Sequence, residues 1–63
     1  MFEHIGKIVN ISVANDFRLT GKLSNHAIGL YQVTGKDNHF VFWDNEVTAL
    51  HLEKSNNRLT IFI

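Results

Sequence analysis

The sequence contains no cysteine and no proline, and these two absences limit what the chain can be. Without cysteine it can form neither a disulfide nor a thiolate metal site, which fits a reducing compartment such as the cytoplasm. Without proline, nothing interrupts the ladders of backbone hydrogen bonds between β-strands. The four glycines are dispersed and form no phosphate-binding loop.

An excess of one charge and a long apolar run are also missing. Six Lys and Arg residues balance six Asp and Glu residues. A neutral chain lacks the overall positive field that supplies most non-specific affinity for nucleic acid. No apolar run approaches the roughly 20 residues that cross a bilayer. We therefore expect a soluble, cytoplasmic protein that makes no membrane contact.

Alternation of apolar and polar residues is the main pattern that the sequence contains. Phe17, Leu19, Gly21 and Leu23 alternate with polar residues, and a period of two is typical of a half-buried strand. Similar apolar segments predict further strands at residues 7–13, 27–34, 39–43, 47–52 and 58–63. Residues 1–6 predict one helical turn that ends at Gly6.

Short polar clusters predict the turns between these strands. They lie at Asn15-Asp16, at Ser24-Asn25-His26, at residues 35–38 and at residues 55–57. Gly21 lies at an inward position of the best-patterned strand, where glycine permits a sharp bend. The pattern predicts one domain over residues 1–63. Its predicted fold is all-β: a small, strongly bent antiparallel barrel of five or six strands, with a short N-terminal helical turn.

The small size of the domain predicts self-assembly. A chain of 63 residues buries only about 60% of its unfolded surface, so its core is marginal. Small domains compensate with disulfides, metals or oligomerisation, and cysteine is absent. The apolar last strand would be an aggregation hazard if it were left bare. We predict an oligomer interface formed by Leu59, Ile61, Phe62, Ile63 and Trp43.

Three sequence features resemble the Sm-like superfamily of small barrels. They are an apolar turn before Gly6-Lys7, the motif Leu19-Thr20-Gly21-Lys22-Leu23, and a later Val47, Leu50 and Leu52 pattern. The resemblance covers roughly residues 2 to 52 and is greatest to a short Sm-like family of spore-forming bacteria. It implies a bent five-stranded barrel that forms rings or dimers by pairing edge strands.

The same resemblance implies RNA binding through two loops. These loops correspond to Ser24-Asn25-His26-Ala27 and to Trp43-Asp44-Asn45-Glu46. The second loop carries the carboxylates of Asp44 and Glu46, which repel phosphate. The candidate nucleic-acid-binding residues are polar and basic side chains outside that second loop: Arg18, Lys22, Asn25, His26 and Lys36.

The sequence contains no motif that indicates catalysis or metal binding. The four histidines show no ligand spacing, and His39 and His51 are predicted to be structural residues within apolar strands. A nucleophile motif is absent as well, so we expect no enzyme, no metal and no cofactor. Phe40 and Phe42 share a parity and are predicted core residues, whereas Tyr31 and Trp43 are candidates for exposure.

Three functions remain open from the sequence. The leading hypothesis is a non-enzymatic, self-assembling module with a structural or protein-binding role. The alternative is an Sm-like protein that binds RNA or single-stranded nucleic acid. A further alternative is a small inhibitor or regulator of another protein.

Overall fold

The computed structural model describes residues 1–14 and 16–63 and has an all-β fold, as the alternation predicts. A short 3-10 turn, Phe2–His4, precedes the sheet, which confirms the predicted N-terminal helical turn. A second 3-10 turn, Asp44–Glu46, follows the fourth strand. The six strands are β1 (Ile8–Val13), β2 (Phe17–Ala27), β3 (Leu30–Thr34), β4 (His39–Trp43), β5 (Ala49–Glu53) and β6 (Arg58–Phe62).

All six strands belong to one sheet in the order β4-β3-β2-β1-β6-β5. Most neighbours are antiparallel, but β6 runs parallel to β1, with Asn10 beside Thr60 and Ile11 beside Ile61. The predicted antiparallel arrangement is therefore wrong for the β1–β6 pair, and the sheet is mixed. β5 and β6 form an antiparallel hairpin, and β6 lies between β5 and β1. β6 therefore runs in the same direction as β1 and opposite to β5.

The last strand is buried within the chain's own sheet. β6 pairs with β1 on one side and with β5 on the other, and Leu59 and Ile61 are buried in the core. The backbone continues this pairing to the last residue, because the Ile63 amide donates to the Ser12 carbonyl at 2.9 Å. The predicted terminal strand is thus confirmed, and the sheet that covers it is its own.

The long strand β2 changes its pairing partner close to Gly21. Residues 17–22 of β2 pair with β1, whereas residues 22–27 pair with β3. Gly21 is buried, and a Cβ atom built there would collide with the carbonyl oxygen of Thr34. Only glycine allows the end of β3 to approach so closely, so glycine is required at this position for a direct steric reason.

One face of the sheet, the core face, carries the buried residues, and the opposite face is called the outer face below. The core face combines aliphatic residues with a chain of aromatic rings. Ring centroids lie 5.4 Å apart for Phe17 and Phe40, 6.3 Å for Phe40 and Phe42, and 5.8 Å for Phe42 and Tyr31. Phe42 is buried and Phe40 partly so, as predicted, but Tyr31 is also buried rather than exposed. The fully buried side chains are Val9, Ile11, Leu23, Val33, Phe42 and Ile61.

The turn between β2 and β3 differs from the prediction. Ser24, Asn25 and His26 lie within β2, and the turn is formed by Ile28 and Gly29. Gly29 has a φ of 77°, which glycine adopts more readily than other residues. The polar residues that suggested a turn are accommodated by a register shift between Asn25 and Ala27, which leaves His26 as the extra residue of a bulge.

The other predicted turns are found where expected. The Gly35 amide donates to the Asn38 carbonyl at 2.8 Å, which closes the β3–β4 turn. In the β5–β6 turn, the Asn56 side chain accepts from the Arg58 amide at 3.0 Å. Of the predicted Asn15-Asp16 turn, Asn15 lies outside the described residues, and the Asp16 amide donates to the Val13 carbonyl at 3.1 Å.

Substitution of Gly29 tests the position of the β2–β3 turn. Gly29→Ala is expected to lower the free energy of unfolding by about 1 kcal/mol, because alanine is strained at positive φ. Gly29→Asn is expected to cost less, since asparagine tolerates this region. Urea denaturation followed by circular dichroism measures both. Equal stability of Gly29→Ala and the wild type would contradict the turn at Ile28 and Gly29.

Candidate functional site

Of the candidate nucleic-acid-binding residues, two lie together on the outer face of β2. Arg18 and Lys22 are exposed and alternate with the inward positions Leu19, Gly21 and Leu23. Lys36 lies apart from them in the β3–β4 turn. The structure therefore places Arg18 and Lys22 on one face of a strand and Lys36 in a turn.

The other two candidates already have structural partners. The Asn25 amide nitrogen donates to the carbonyl oxygens of Ala27 and Leu30, at 2.7 Å and 2.9 Å. The His26 Nε2 atom lies 2.7 Å from Gln32 Oε1. The segment that the resemblance assigned to an RNA-binding loop is thus the bulged end of a strand, and its polar groups hold the hairpin together.

The predicted oligomer interface is divided between the core and the surface. Leu59 and Ile61 are buried in the chain's own core, and Ile63 packs against it. Their burial leaves little of these side chains for a partner to contact. Phe62 and Trp43 remain substantially exposed, on β6 and β4 respectively.

Two strands, β4 and β5, form the ends of the strand order. In the described part of the chain each has a hydrogen-bonded neighbour on one side only, so each presents a row of backbone donors and acceptors. We call them the β4 edge (His39–Trp43) and the β5 edge (Ala49–Glu53). Pairing with a further strand is the chemistry that such edges offer.

The β5 edge carries two leucines that the sequence analysis did not assign to an interface. Leu50 pairs with Ile61 and Leu52 with Leu59, so both leucines point toward the core face. They are nevertheless 52% and 46% exposed, because the sheet provides no further strand to cover them. Their shared parity with the apolar residues of β6 is the sequence signal that identifies them.

Charge is segregated between the strands and the turns. The charged residues within strands lie at outer-face positions: Arg18, Lys22 and Arg58 against the single carboxylate of Glu53. The remaining carboxylates lie in turns and 3-10 segments: Glu3, Asp16, Asp37, Asp44 and Glu46. A chain of zero formal net charge therefore has an outer face on which cations outnumber anions.

The four histidines lie apart from one another. His4 is in the first 3-10 turn, and His26, His39 and His51 lie on different strands. His39 and His51 are exposed, so the prediction that they are structural residues among apolar neighbours is wrong. Among residues 1–14 and 16–63, no three His, Asp or Glu side chains are grouped as a metal site would require.

The search for a membrane-spanning helix and the comparison with known proteins add no further assignment to these surfaces. Within the described residues, no helix is both long and apolar enough to cross a bilayer. Comparison with known proteins yields no match among family models, curated proteins or solved structures. Function is therefore inferred from the residues and geometry of this chain alone.

Proposed function

We propose that the chain is a non-enzymatic, self-assembling small-barrel module of the Sm-like kind, in which copies join along the β5 edge. The observation that carries this proposal is the half-exposed pair Leu50 and Leu52, which points to the core face of an unpaired strand. An apolar edge of this kind favours pairing with another chain. The absence of cysteine supports a cytoplasmic location.

The Sm-like assignment is supported by the meander of β1 to β4 and by the close approach of the β3 backbone to Gly21 of β2. A 3-10 turn after β4 separates this meander from the last hairpin. The hairpin departs from the five-stranded pattern that the resemblance implies, because β6 occupies the position beside β1. The edge that follows β6 is therefore β5.

Strand directions favour a two-fold pairing of β5 with β5. β4 and β5 run in the same direction within the sheet. Between them lie four antiparallel strand pairs and one parallel pair, and an even number of reversals restores the direction. If the core face continues across the contact, pairing of β4 with β5 of the next copy is parallel. Pairing of β5 with β5 about a two-fold axis normal to the sheet is antiparallel, and antiparallel ladders are slightly more stable.

Two-fold pairing also brings the exposed leucines together. With His51 at the two-fold axis, Leu50 of one copy lies opposite Leu52 of the other, on the core face. Four half-exposed leucines then form one apolar strip, and the two cores become continuous. Such an isologous contact uses the same surface on both copies and closes at a dimer.

Light scattering coupled to size-exclusion chromatography tests the proposal. We expect twice the mass of a single chain at high micromolar concentration, with a shift toward the monomer on dilution. A single-chain mass at high micromolar concentration, with a full thermal unfolding transition, would contradict self-assembly. Capture of one stoichiometric partner by a monomer would instead favour the regulator hypothesis.

A second candidate function is binding of single-stranded nucleic acid on the outer face. It is favoured by the cluster of Arg18, Lys22 and Arg58 on one surface. Binding that depends on these phosphate contacts weakens steeply as salt rises. A labelled oligonucleotide whose mobility the protein shifts at low salt, and not at high salt, would support it. No shift at low salt would exclude it.

A further inference from the structure

A cleft of about 410 Å³ lies on the outer face, across β2, β1, β6 and β5. Its middle is formed by Asn10, which lies opposite Thr20 on β2 and beside Thr60 on β6. Ser12 lies next to this row, with Arg18 on one side and Phe62 on the other. The volume falls within the range of roughly 300–1,000 Å³ that is typical of small-molecule sites.

The floor of the cleft is a chain of three hydrogen-bonded side chains. The Thr20 hydroxyl donates to Asn10 Oδ1 at 2.8 Å, and Asn10 Nδ2 donates to Thr60 Oγ1 at 3.3 Å. These bonds fix the orientation of the Asn10 amide and use the Thr60 oxygen as an acceptor. The second N–H of Asn10 and the hydroxyl hydrogen of Thr60 remain as donors. A floor that offers donors is complementary to a ligand rich in acceptors.

The rim of the cleft adds a cation and an aromatic ring. In the described ranges the one ion pair joins His4 and Glu3, so Arg18 contacts no carboxylate there. A guanidinium group is a planar fork that matches carboxylate and phosphate oxygens. Phe62 is 38% exposed and lies two strands from Arg18, about 10 Å away at the usual strand spacing.

We propose that this cleft binds a small anion that carries a planar ring. The carboxylate or phosphate group lies between Arg18 and the donors of Asn10 and Thr60, and the ring packs on Phe62. Glu53 lines the cleft from β5, on the side away from Arg18. Its carboxylate disfavours a second anionic group at that end. The site is therefore suited to a compact ligand with one anionic group, and it does not depend on the proposed assembly.

Titration of the ¹⁵N-labelled protein with phenyl phosphate, followed by NMR, tests the site. We expect the largest amide shift changes at Arg18, Thr20 and Thr60. Arg18→Gln is expected to weaken binding about tenfold or more, because it removes a charge-assisted, bidentate contact. Lys36→Gln is the matched control, since it removes the same charge from the β3–β4 turn, and its affinity is expected to equal that of the wild type.

Phe62→Leu gives an independent readout of the ring contact. It is expected to weaken binding of phenyl phosphate while leaving binding of inorganic phosphate unchanged. If Arg18→Gln and Lys36→Gln lowered the affinity for phenyl phosphate equally, the proposal would be overturned in favour of diffuse charge attraction. Absence of shift changes at millimolar phenyl phosphate would overturn it outright. An oligonucleotide that perturbs these amides when phenyl phosphate does not would replace it with an extended nucleic-acid surface.

Discussion

Replacing Gly21 with alanine is expected to lower the free energy of unfolding by at least about 3 kcal/mol, at the upper end of overpacking effects. A Cβ atom on Gly21 would collide with the carbonyl oxygen of Thr34 and would lie 2.7 Å from the Gly35 amide nitrogen. Both contacts are with backbone, which cannot move aside as a flexible side chain can. A domain of 63 residues has a total stability of only roughly 3–9 kcal/mol, so the variant is expected to lose about a third of that stability or more.

Gly6→Ala provides the matched control for this prediction. Gly6 has a φ of 88°, and a Cβ atom there would meet nothing within 4 Å. Its substitution is therefore expected to cost about 1 kcal/mol from backbone strain alone. Urea denaturation monitored by circular dichroism compares the two variants. If Gly21→Ala were no less stable than Gly6→Ala, the end of β3 would not approach Gly21 as described.

The double substitution Leu50→Lys and Leu52→Lys is expected to convert the proposed β5–β5 dimer to a monomer. Completing the burial of each half-exposed leucine contributes about 1 kcal/mol. Four such side chains meet in the two-fold contact, so the dissociation constant is expected to rise about a thousandfold. Like charges placed opposite each other add repulsion to this loss. Size-exclusion chromatography with light scattering measures the change in mass.

Val41→Lys on the β4 edge is the control for the double substitution. Val41 is 45% exposed, similar to Leu52, but it lies at the opposite end of the sheet and on the outer face. The mass of the Val41→Lys variant in solution is expected to equal that of the wild type at each concentration. If Val41→Lys were monomeric while the double leucine variant kept the mass of the wild type, the contact would lie at β4 instead.

Local apolar patterns were sufficient to predict the six strands but not the boundary between β2 and β3. The faultless alternation of residues 17–23 identified the first half of β2, and Leu59 and Ile61 identified β6. The close backbone approach at Gly21 was also predictable, because a glycine at an inward strand position usually marks a bend or such an approach. These features depend on residues close together in the chain, which is where sequence patterns are most informative.

Two features of the fold depended on interactions that local patterns do not encode. Ser24, Asn25 and His26 have the composition of a turn, but the Asn25 side chain bonds two carbonyls inside the hairpin and keeps the segment in β2. The parallel pairing of β6 with β1 depends on which strand of the last hairpin lies inside the sheet. That choice follows from long-range packing of Leu59 and Ile61, and the order of strands in the sequence does not determine it.

The candidate sites, like the fold, were predictable from the sequence only in part. Arg18 was predicted as a candidate nucleic-acid-binding residue because it is basic, and the structure places it on the outer face of β2. Leu50 and Leu52 were assigned to a strand but not to an interface, because their exposure follows from the end position of β5 in the sheet. The cleft joins β2, β1, β6 and β5, and the register between these strands had to be known before Asn10, Thr20 and Thr60 could be grouped.

Amide hydrogen exchange at two protein concentrations tests self-assembly through β5 most directly. At low concentration, the alternate amides of residues 49–53 that point away from β6 are expected to exchange rapidly. At high concentration the same amides are expected to become protected, while the outward amides of residues 39–43 on β4 remain unprotected. Concentration-independent, rapid exchange along β5, in a sample whose mass has doubled, would contradict the account.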